Sequence, residues 1–228
     1  MSTTIAIFDL DGTITRGDTY LAYLLHVLGR RRKRVVNCLD LPFTVLKFKL
    51  GRLTNDEIKR AFLKGIMQGC TRAEVEGFTA DFVSGRFARM IKRKAIARID
   101  LHRRQGHLLV LATASLDFYA DAIGRSLGFD HVVATRAAWD SDKIAGSLDG
   151  DNLRGEAKLT AVKRVLTRLN GDISRIVAYS DDHSDLPILR FANRGIAIDP
   201  TPKLVAAASI YGLETEVWSE EPDPRRRS

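Results

Sequence analysis

The sequence predicts a doubly wound α/β fold, a parallel β-sheet with helices on both faces, and a helical insertion after the first strand. Five short, largely apolar runs have the length of buried strands: Ile5–Phe8, His107–Ala112, Val132–Thr135, Ile173–Tyr179 and Gly195–Ile198. Continuous rather than alternating hydrophobicity is typical of strands that are covered on both faces. Helical patterns separate most of these runs, and such strand–helix alternation indicates a parallel sheet.

About 90 residues without a strand pattern separate the first two predicted strands, which is too long for a simple crossover connection. Four helical patterns occur there, at Thr19–Leu28, Asn55–Met67, Arg72–Val83 and Phe87–Arg104. We therefore expect a helical cap domain over residues 16–100 and a core domain formed by residues 1–15 and 101–218. The last residues, 219–228, contain two prolines and three arginines and are expected to be a flexible tail.

The second half of the chain supplies the remaining elements of the predicted core. Helical patterns follow or precede the later strands at Leu116–Leu127, Glu156–Leu169, Leu186–Phe191 and Lys203–Ala208. The turn-rich segment Trp139–Gly150 predicts a hairpin or a loop. These elements alternate as a doubly wound sheet requires.

The composition excludes several classes of protein. Apolar residues make up 45% and charged residues 28% of the chain, the balance of a soluble globular protein. The longest apolar run, Leu108–Ala114, is far shorter than the ~20 residues of a membrane span. Cys38 and Cys70 are too few for a disulfide framework, and neither belongs to a zinc-binding pattern. With no secretory signal visible, we expect a cytoplasmic protein.

The net charge of +8 is unevenly distributed along the chain. Residues 16–100 hold 19 Lys and Arg against 8 Asp and Glu, a net charge of +11. This asymmetry indicates an anionic partner, such as a phosphorylated substrate, a membrane surface or a nucleic acid. The region lacks a basic face interleaved with aromatic residues, so no nucleic acid is expected, and a non-enzymatic nucleic-acid-binding protein is the last-ranked alternative.

A membrane contact has its own sequence pattern. The basic cluster Arg30–Arg34 precedes Val35–Leu53, which is rich in Val, Leu and Phe. A basic cluster beside an amphipathic apolar segment suits the anionic inner face of a membrane. The alternative is internal packing, because apolar residues recur there at helical spacing, at Leu39, Phe43, Leu46 and Leu50.

Two acidic clusters follow predicted strands. Asp9 and Asp11 lie two positions apart at the end of the first strand, with Gly12 allowing a tight exit. Asp181 and Asp185 follow the fourth strand in the same way. Because parallel strands end at one edge of a sheet, the four carboxylates are expected to converge there. Carboxylates this close repel each other unless a cation lies between them or one of them is protonated, and hard oxygen ligands favour Mg²⁺.

Two further residues suit a phosphate. Thr113 ends the second predicted strand just before a helix, where a hydroxyl and free backbone N–H groups bind anions. Lys158 lies in the first turn of a predicted helix, where its charge opposes the helix dipole and favours a specific anionic partner. Taken singly, Thr113 is more typical of an ordinary helix cap, and Lys158 is more typical of a solvated surface lysine.

In their order along the chain, these residues resemble the motifs of the haloacid dehalogenase (HAD) phosphohydrolase superfamily, over about residues 5–200. The resemblance implies a HAD-like core with a C1-type helical cap and a Mg²⁺-dependent phosphatase. Asp9 would attack phosphorus, and Asp11 would protonate the leaving alcohol and then activate water. The metal ligands would be Asp9, the backbone carbonyl of Asp11, and Asp181. The phosphoryl group would be held by Thr113, Lys158, Gly12 and Ala114, and Asp185 would act through Lys158 or the metal's waters.

The insertion resembles the phosphoserine-phosphatase-like branch, subfamily IB. In that branch an acidic residue shortly after the first motif binds substrate, and Asp18 matches it. Lys59–Gly69 offers no convincing match to the cap arginine of that branch, and Phe62 and Leu63 there are apolar. Short segments, including Gly155–Lys158, resemble phosphatidylglycerophosphatase C. The implied substrate is phosphatidylglycerophosphate or a similar anionic phosphomonoester; the alternatives are a small soluble metabolite, as in phosphoserine phosphatases, or phosphomutase chemistry.

The resemblance has departures in the second acidic cluster. Ser180 stands where the superfamily usually has glycine, and Asp182 and His183 replace commoner small residues. These changes leave the carboxylate of Asp181 in place. They are expected to change the hydration around a bound metal.

Overall fold

A computed structural model describes residues 3–31, 41–169 and 172–219 of the chain. The strands are β1 (Thr3–Phe8), β2 (Leu108–Leu116), β3 (His131–Thr135), β4 (Ala137–Asp140), β5 (Lys143–Leu148), β6 (Ile173–Ser180), β7 (Arg194–Ile198) and β8 (Glu214–Glu216). Within these residues, a parallel sheet has the order β3-β2-β1-β6-β7-β8, while β4 and β5 form an antiparallel hairpin. This confirms the predicted fold class.

The helices are α1 (Thr19–Arg30), α2 (Leu41–Lys49), α3 (Asn55–Phe62), α4 (Arg72–Ser84), α5 (Arg93–Arg104), α6 (Asp117–Leu127), α7 (Glu156–Leu166), α8 (Leu186–Phe191) and α9 (Pro202–Tyr211). Short helical turns cover Leu10–Ile14, Leu63–Met67, Phe87–Arg89 and His183–Asp185. Thr54 and Thr71 form capping boxes with Glu57 and Glu74, which start α3 and α4. Among the described residues, no helix combines the length and the apolar character that a bilayer crossing requires.

Alternating side chains of the strands cover the two faces of the sheet. On β1, Phe8 belongs to a buried cluster that includes residues of α1, α4, α5 and α6. Ile5 and Ile7 point to the other face, in a cluster with residues of α7, α8 and α9. Burial on both faces explains why the strand sequences are continuously apolar.

The described part of the segment between β1 and β2 is largely helical, as expected, but its last helix begins later than predicted. The pattern predicted one helix over Phe87–Arg104, whereas a short turn ends at Arg89 and α5 starts at Arg93. Ile91 pairs with Thr15 as an isolated β-bridge, and Lys92 has an extended backbone. This pairing interrupts the helix.

The predicted division into domains stays a prediction, although α5 bears on its boundary. Ile99 and His102 of α5 are buried against the sheet, and the rings of His102 and of Phe8 on β1 form a T-shaped pair with centroids 5.8 Å apart. The boundary drawn at residue 100 therefore falls inside a helix that packs on the sheet.

Some sequence expectations differ from the structure or lie outside it. β8 was not predicted, because its three residues, Glu-Thr-Glu, have no apolar pattern. The segment Trp139–Gly150 contains the second half of the β4–β5 hairpin. Most of the basic cluster Arg30–Arg34 and nearly all of the predicted tail, from residue 220 onwards, lie outside the described residues.

His102 belongs to a series of polar contacts that joins α5 to Tyr179 of β6. Arg98 Nη1 donates to Tyr179 Oη at 3.1 Å, Tyr179 Oη lies 2.8 Å from His102 Nε2, and His102 Nδ1 lies 2.8 Å from His107 Nδ1. Burial, and then the charges of His107 and the nearby arginines, lowers the pKa of His102 to about 4. The folded protein therefore holds this ring in its neutral form.

This arrangement predicts a loss of stability in mild acid. The pKa of His102 is lower in the folded chain than in the unfolded chain, so protonation favours the unfolded state. The free energy of unfolding is therefore unaffected by this ring above about pH 6.5 and decreases as the pH falls towards 4. Because solvent screens part of this effect, the loss is on the order of 1–2 kcal/mol by pH 4. Urea unfolding of the wild type and of His102→Gln at pH 7.5 and 4.5 measures it, and an equal decrease in both proteins would contradict the assignment.

Candidate active site

The two acidic segments meet because their strands are neighbours. β1 pairs with β6 in parallel, with Phe8 opposite Tyr179. The backbone N–H of Asp9 donates to the Tyr179 carbonyl at 3.0 Å, which extends the pairing to the first carboxylate. Asp181 follows the end of β6 at the same edge. The structure thus brings Asp9 and Asp181 to one side of the sheet.

Asp9 and Asp185 share a buried lysine. Lys158 Nζ donates to Asp9 Oδ1 at 2.8 Å and to Asp185 Oδ2 at 2.7 Å, and all three side chains are buried. Burial raises the pKa of Asp9 well above its usual range; Lys158 opposes that shift, and the carboxylates of Asp185, Asp181 and Asp11 add to it. Burial by itself lowers the pKa of Lys158, but Asp185 and Asp9 reverse this and raise it above its ordinary value. The lysine is therefore held charged between two carboxylates.

The carboxylate of Asp11 faces a different set of donors. Its Oδ1 accepts from the backbone N–H of Thr19 at 2.6 Å, and its Oδ2 accepts from Ser115 Oγ at 2.7 Å. Burial, and then the charge of Asp18, raises the pKa of Asp11, while the hydrogen bonds from Thr19 and Ser115 limit the shift. The two aspartates of the first cluster thus differ in partners although they are only two positions apart.

Gly12 makes room for Asp181. The glycine has φ +80°, and a Cβ atom built on it would lie 2.1 Å from Asp181 Oδ2, so a side chain at this position would collide with the carboxylate. Thr13 Oγ1 donates to Asp181 Oδ1 at 3.0 Å. Burial raises the pKa of Asp181 to about 6, and the hydrogen bond from Thr13 limits the shift.

Ser180, the departure from the usual glycine, has a partner. Its Oγ donates to Asp185 Oδ2 at 2.8 Å, so it holds the same oxygen that Lys158 contacts. The other oxygen, Asp185 Oδ1, is buried and has no hydrogen-bond partner among the described residues. Asp182 has a local role instead, because its Oδ1 accepts from the backbone N–H of Ser184 and starts the turn His183–Asp185.

The expected phosphate-binding hydroxyl lies in a different setting from the one that the sequence predicted. Thr113 was expected at a helix start, but β2 continues to Leu116, so Thr113 lies inside a strand. Its side chain is fully buried, and its Oγ1 accepts from the backbone N–H of Ser115 at 3.0 Å. Ala114 and Ser115 line the cavity described next, so Ser115 is a site residue that sequence reasoning missed.

A cavity of about 780 Å³ opens over the carboxylates, between the sheet edge and the helices that follow β1. Asp9, Asp11, Gly12, Lys158, Asp181 and Asp185 line it from the sheet edge. Its opposite wall is mostly apolar: Tyr20, Leu21, Leu24, Val45, Phe48, Ile58 and Phe62. The cavity therefore places a charged floor against an apolar wall.

Asp18, the expected specificity residue, also lines this cavity. Its Oδ1 accepts from the backbone N–H of Leu21 at 3.0 Å, so it is the N-cap of α1. The structure shows this capping role directly. A role in substrate binding stays a prediction.

A polar cluster that sequence reasoning missed joins α3 to the sheet edge. Lys59 Nζ donates to the Ala114 carbonyl at 2.5 Å and to Asn152 Oδ1 at 2.6 Å, and Asn152 Nδ2 donates to Asp56 Oδ1 at 2.7 Å. Burial lowers the pKa of Lys59 to about 8, although Asp11, Asp56 and Asp18 act in the opposite direction. An isolated lysine on an amphipathic helix gives no sequence signal for such a contact.

Comparison with solved structures supports the fold. A Bordetella pertussis protein described as having unknown function shares 25% identity at a TM-score of 0.81, covering 94% of this chain and 98% of that one. A structure described as a phospho-aspartyl intermediate analogue of phosphoserine phosphatase has 18% identity and a TM-score of 0.64, covering 99% and 97%. At 18% identity, the second likeness shows the fold alone.

Sequence comparison gives relatives of similar extent. Protein CicA of Caulobacter vibrioides is 28% identical over 190 residues, covering 83% of each chain. Phosphoserine phosphatase SerB1 of Mycobacterium tuberculosis is 26% identical over 215 residues, covering 93% of this chain and 70% of that protein. The family model of the haloacid dehalogenase-like hydrolases matches residues 6–190, which span the whole charged floor of the cavity. The chain belongs to the haloacid dehalogenase-like hydrolase family.

Proposed function

We propose that the protein is a Mg²⁺-dependent phosphomonoester phosphatase that forms an aspartyl phosphate on Asp9. The observation that supports this most directly is the separation of two carboxylates by their partners. Asp9 shares a lysine with Asp185, whereas Asp11 accepts from Thr19 and Ser115. Lys158 favours the ionised form of Asp9, which can attack, whereas burial raises the pKa of Asp11 against the effect of its two donors and favours the form that carries a proton.

The residues at the sheet edge fit a hard divalent cation. Asp9, Asp181 and the backbone carbonyl of Asp11 would supply only oxygen ligands, the kind that Mg²⁺ prefers. This set combines two carboxylate side chains with one backbone carbonyl, and the described residues contain no cluster of three His, Cys, Asp or Glu side chains arranged to hold a metal. Mutual repulsion contributes to the raised pKa of Asp9, and a cation would remove it.

The proposed reaction has two displacements. Asp9 Oδ2, the oxygen that Lys158 does not contact, attacks phosphorus, and the ester P–O bond breaks while Asp11 gives its proton to the leaving alcohol. Water then attacks phosphorus as Asp11 takes up a proton, and the bond to Asp9 breaks to release phosphate. When bound, Mg²⁺ would neutralise charge between carboxylate and phosphate.

Lys158 and its neighbours have positioning and charge-balancing roles in this proposal. The lysine holds Asp9 Oδ1 and would also contact a phosphoryl oxygen, together with Gly12 and Ala114, which line the cavity. Raising the pKa of Asp11 by burial favours its protonated form before the first step.

We propose further that the helices between β1 and β2 act as a cap that selects the substrate. Their apolar wall suits a leaving group with an apolar portion better than the small polar side chain of phosphoserine. Phe62, which lines this wall, contributes no charge for a carboxylate. This supports an anionic lipid phosphomonoester such as phosphatidylglycerophosphate, while the similarity to SerB1 supports a small metabolite as the second candidate.

A substrate screen tests the function. Release of inorganic phosphate is measured with and without Mg²⁺ from phosphatidylglycerophosphate in micelles, phosphoserine, sugar phosphates and nucleotides. We expect release that EDTA abolishes and excess Mg²⁺ restores, with the highest kcat/KM for the lipid. Absence of release from every compound would contradict the phosphatase, and transfer of phosphate between substrates without net release would indicate a phosphomutase.

A peripheral contact with an anionic membrane forms part of the proposal. Five large apolar side chains on α1, on α2 and just after α2 are between 46% and 60% exposed: Leu21, Leu25, Phe43, Leu46 and Leu50. They belong to the region of net charge +11. Exposed apolar side chains in a basic region suit binding to anionic lipid, where each basic residue contributes about 1 kcal/mol.

Vesicle sedimentation tests this contact. We expect the wild type to bind phosphatidylglycerol vesicles more tightly than phosphatidylcholine vesicles, and less tightly as salt increases. The triple variant Phe43→Ser/Leu46→Ser/Leu50→Ser should lose most of this binding. The control Val205→Ser/Ile210→Ser removes two apolar side chains of α9 that are 48% and 75% exposed, and it should bind normally. Equal binding by both variants would contradict the assigned surface.

A further inference from the structure

Lys92 holds the turn that follows β1, although it lies outside every motif singled out in the sequence. It is 3% exposed, and its Nζ donates to the carbonyl of Gly12 and to Asp199 Oδ2, the latter at 2.8 Å. Its backbone N–H donates to the carbonyl of Ile14 at 2.9 Å. One residue thus fixes this turn at two points.

Asp199, the partner of Lys92, is itself held firmly. It has φ +43°, which residues other than glycine rarely adopt. Its carboxylate accepts from the backbone N–H of Trp218 at 3.0 Å and from both the N–H and the Oγ of Ser219 at 2.8 Å. With these donors around it, the carboxylate presents a fixed anchor to Lys92.

The segment that contains Asp199 also contacts the other half of the charged floor. The backbone N–H of Thr201 donates to the Asp181 carbonyl at 2.9 Å. Residues 199–201 are therefore linked to Asp181 directly and to Gly12 through Lys92. Gly12 in turn packs so closely on the Asp181 carboxylate that a Cβ atom would not fit.

We propose that Lys92 and Asp199 are a positioning pair that sets the separation between the Gly12 turn and Asp181, and thereby the affinity for the divalent cation. This inference rests on the proposed function. Groups that orient metal ligands typically change metal affinity by about 10–100-fold when they are removed. An ion pair that contributed only to stability could be replaced without changing the affinity for the cation.

The test uses Asp199→Asn, because asparagine keeps the size of the side chain and tolerates positive φ. Mg²⁺ binding is followed without substrate, as the rise in Tm during a Mg²⁺ titration, and kcat and KM are measured separately. We expect about a tenfold increase in the Mg²⁺ concentration for half-maximal stabilisation, a lower kcat, and a KM within twofold of the wild type. Lys92→Arg should retain far more Mg²⁺ affinity than Lys92→Met.

The matched control is Glu216→Gln, which breaks the ion pair with Arg98 at the same edge of the sheet. It should lower Tm in the absence of metal and leave the Mg²⁺ affinity unchanged. Equal Mg²⁺ affinities for Asp199→Asn and Glu216→Gln would show that Lys92 and Asp199 do not set the affinity for the cation, and would leave the proposed function intact. A wild type that neither binds Mg²⁺ nor releases phosphate would overturn both. Should Lys92→Met fail to fold, Asp199→Asn decides the question.

Discussion

Replacing Asp9 by Asn should abolish phosphate release, with kcat lowered by at least about 10⁴-fold. The amide has no oxygen basic enough to attack phosphorus, so the first displacement is lost. The fold should be kept, because the amide oxygen can still accept from Lys158, and Asp185 remains as the partner of that lysine. Steady-state phosphate release and Tm are measured on the same preparation.

The control for this variant is Asp140→Asn, which neutralises an exposed aspartate at the tip of the β4–β5 hairpin. It should keep wild-type kcat and KM. Turnover by Asp9→Asn within tenfold of the wild type would eliminate Asp9 as the nucleophile. Trapping of a phosphorylated chain in the wild type, and not in Asp9→Asn, would support the covalent intermediate separately.

Replacing Lys158 by Met should have the largest effect on stability. The change leaves the carboxylates of Asp9 and Asp185 buried without the cation that lies between them. Breaking a buried ion pair in this way costs about 3–5 kcal/mol. Turnover should also be lost, since the variant lacks the group that holds Asp9 and the phosphoryl oxygens. Urea unfolding in EDTA measures the first effect and phosphate release the second.

The destabilisation of Lys158→Met should depend on pH. Without the lysine, nothing opposes the effect of burial on the pKa of Asp9, so this carboxyl takes up a proton more readily in the folded state. The variant should therefore be closer to the wild type in stability at pH 5 than at pH 8. Lys163→Met, an exposed lysine of the same helix, should change stability by less than about 0.5 kcal/mol. Equal losses of unfolding free energy in the two variants would contradict the claim that Lys158 compensates the buried carboxylates of Asp9 and Asp185.

The sequence was sufficient for the fold class because buried parallel strands are continuously apolar. Runs such as Ile5–Phe8 and Ile173–Tyr179 are short and lie between helical patterns, which favours strands over helices. Both are strands of the central sheet. The carboxylates were predictable for the same reason, since each cluster directly follows such a strand. Strand order then brings Asp9 and Asp181 together without any detail of side-chain packing.

What the sequence could not provide depends on contacts between distant segments. Thr113 and Ser115 both carry a hydroxyl and lie two positions apart in the sequence. β2 extends to Leu116, and the hydroxyl that contacts Asp11 is that of Ser115. Lys59 and Lys92 are two of many lysines in a basic region. Only the folded chain shows that one meets Asn152 and the other meets the Gly12 carbonyl.

The position of β1 in the middle of the sheet has a consequence for how the chain folds. Thr13 and Asp181, which share a hydrogen bond, are 168 positions apart. Closing so long a loop lowers the entropy of the chain before any contact between its ends can form. During synthesis, at about 5–20 residues per second, one edge of β1 stays unpaired until β6 has left the ribosome. A nascent chain stopped before Ile173 would expose that edge to other chains and invite aggregation. Catalysis can begin only after this late partner has docked.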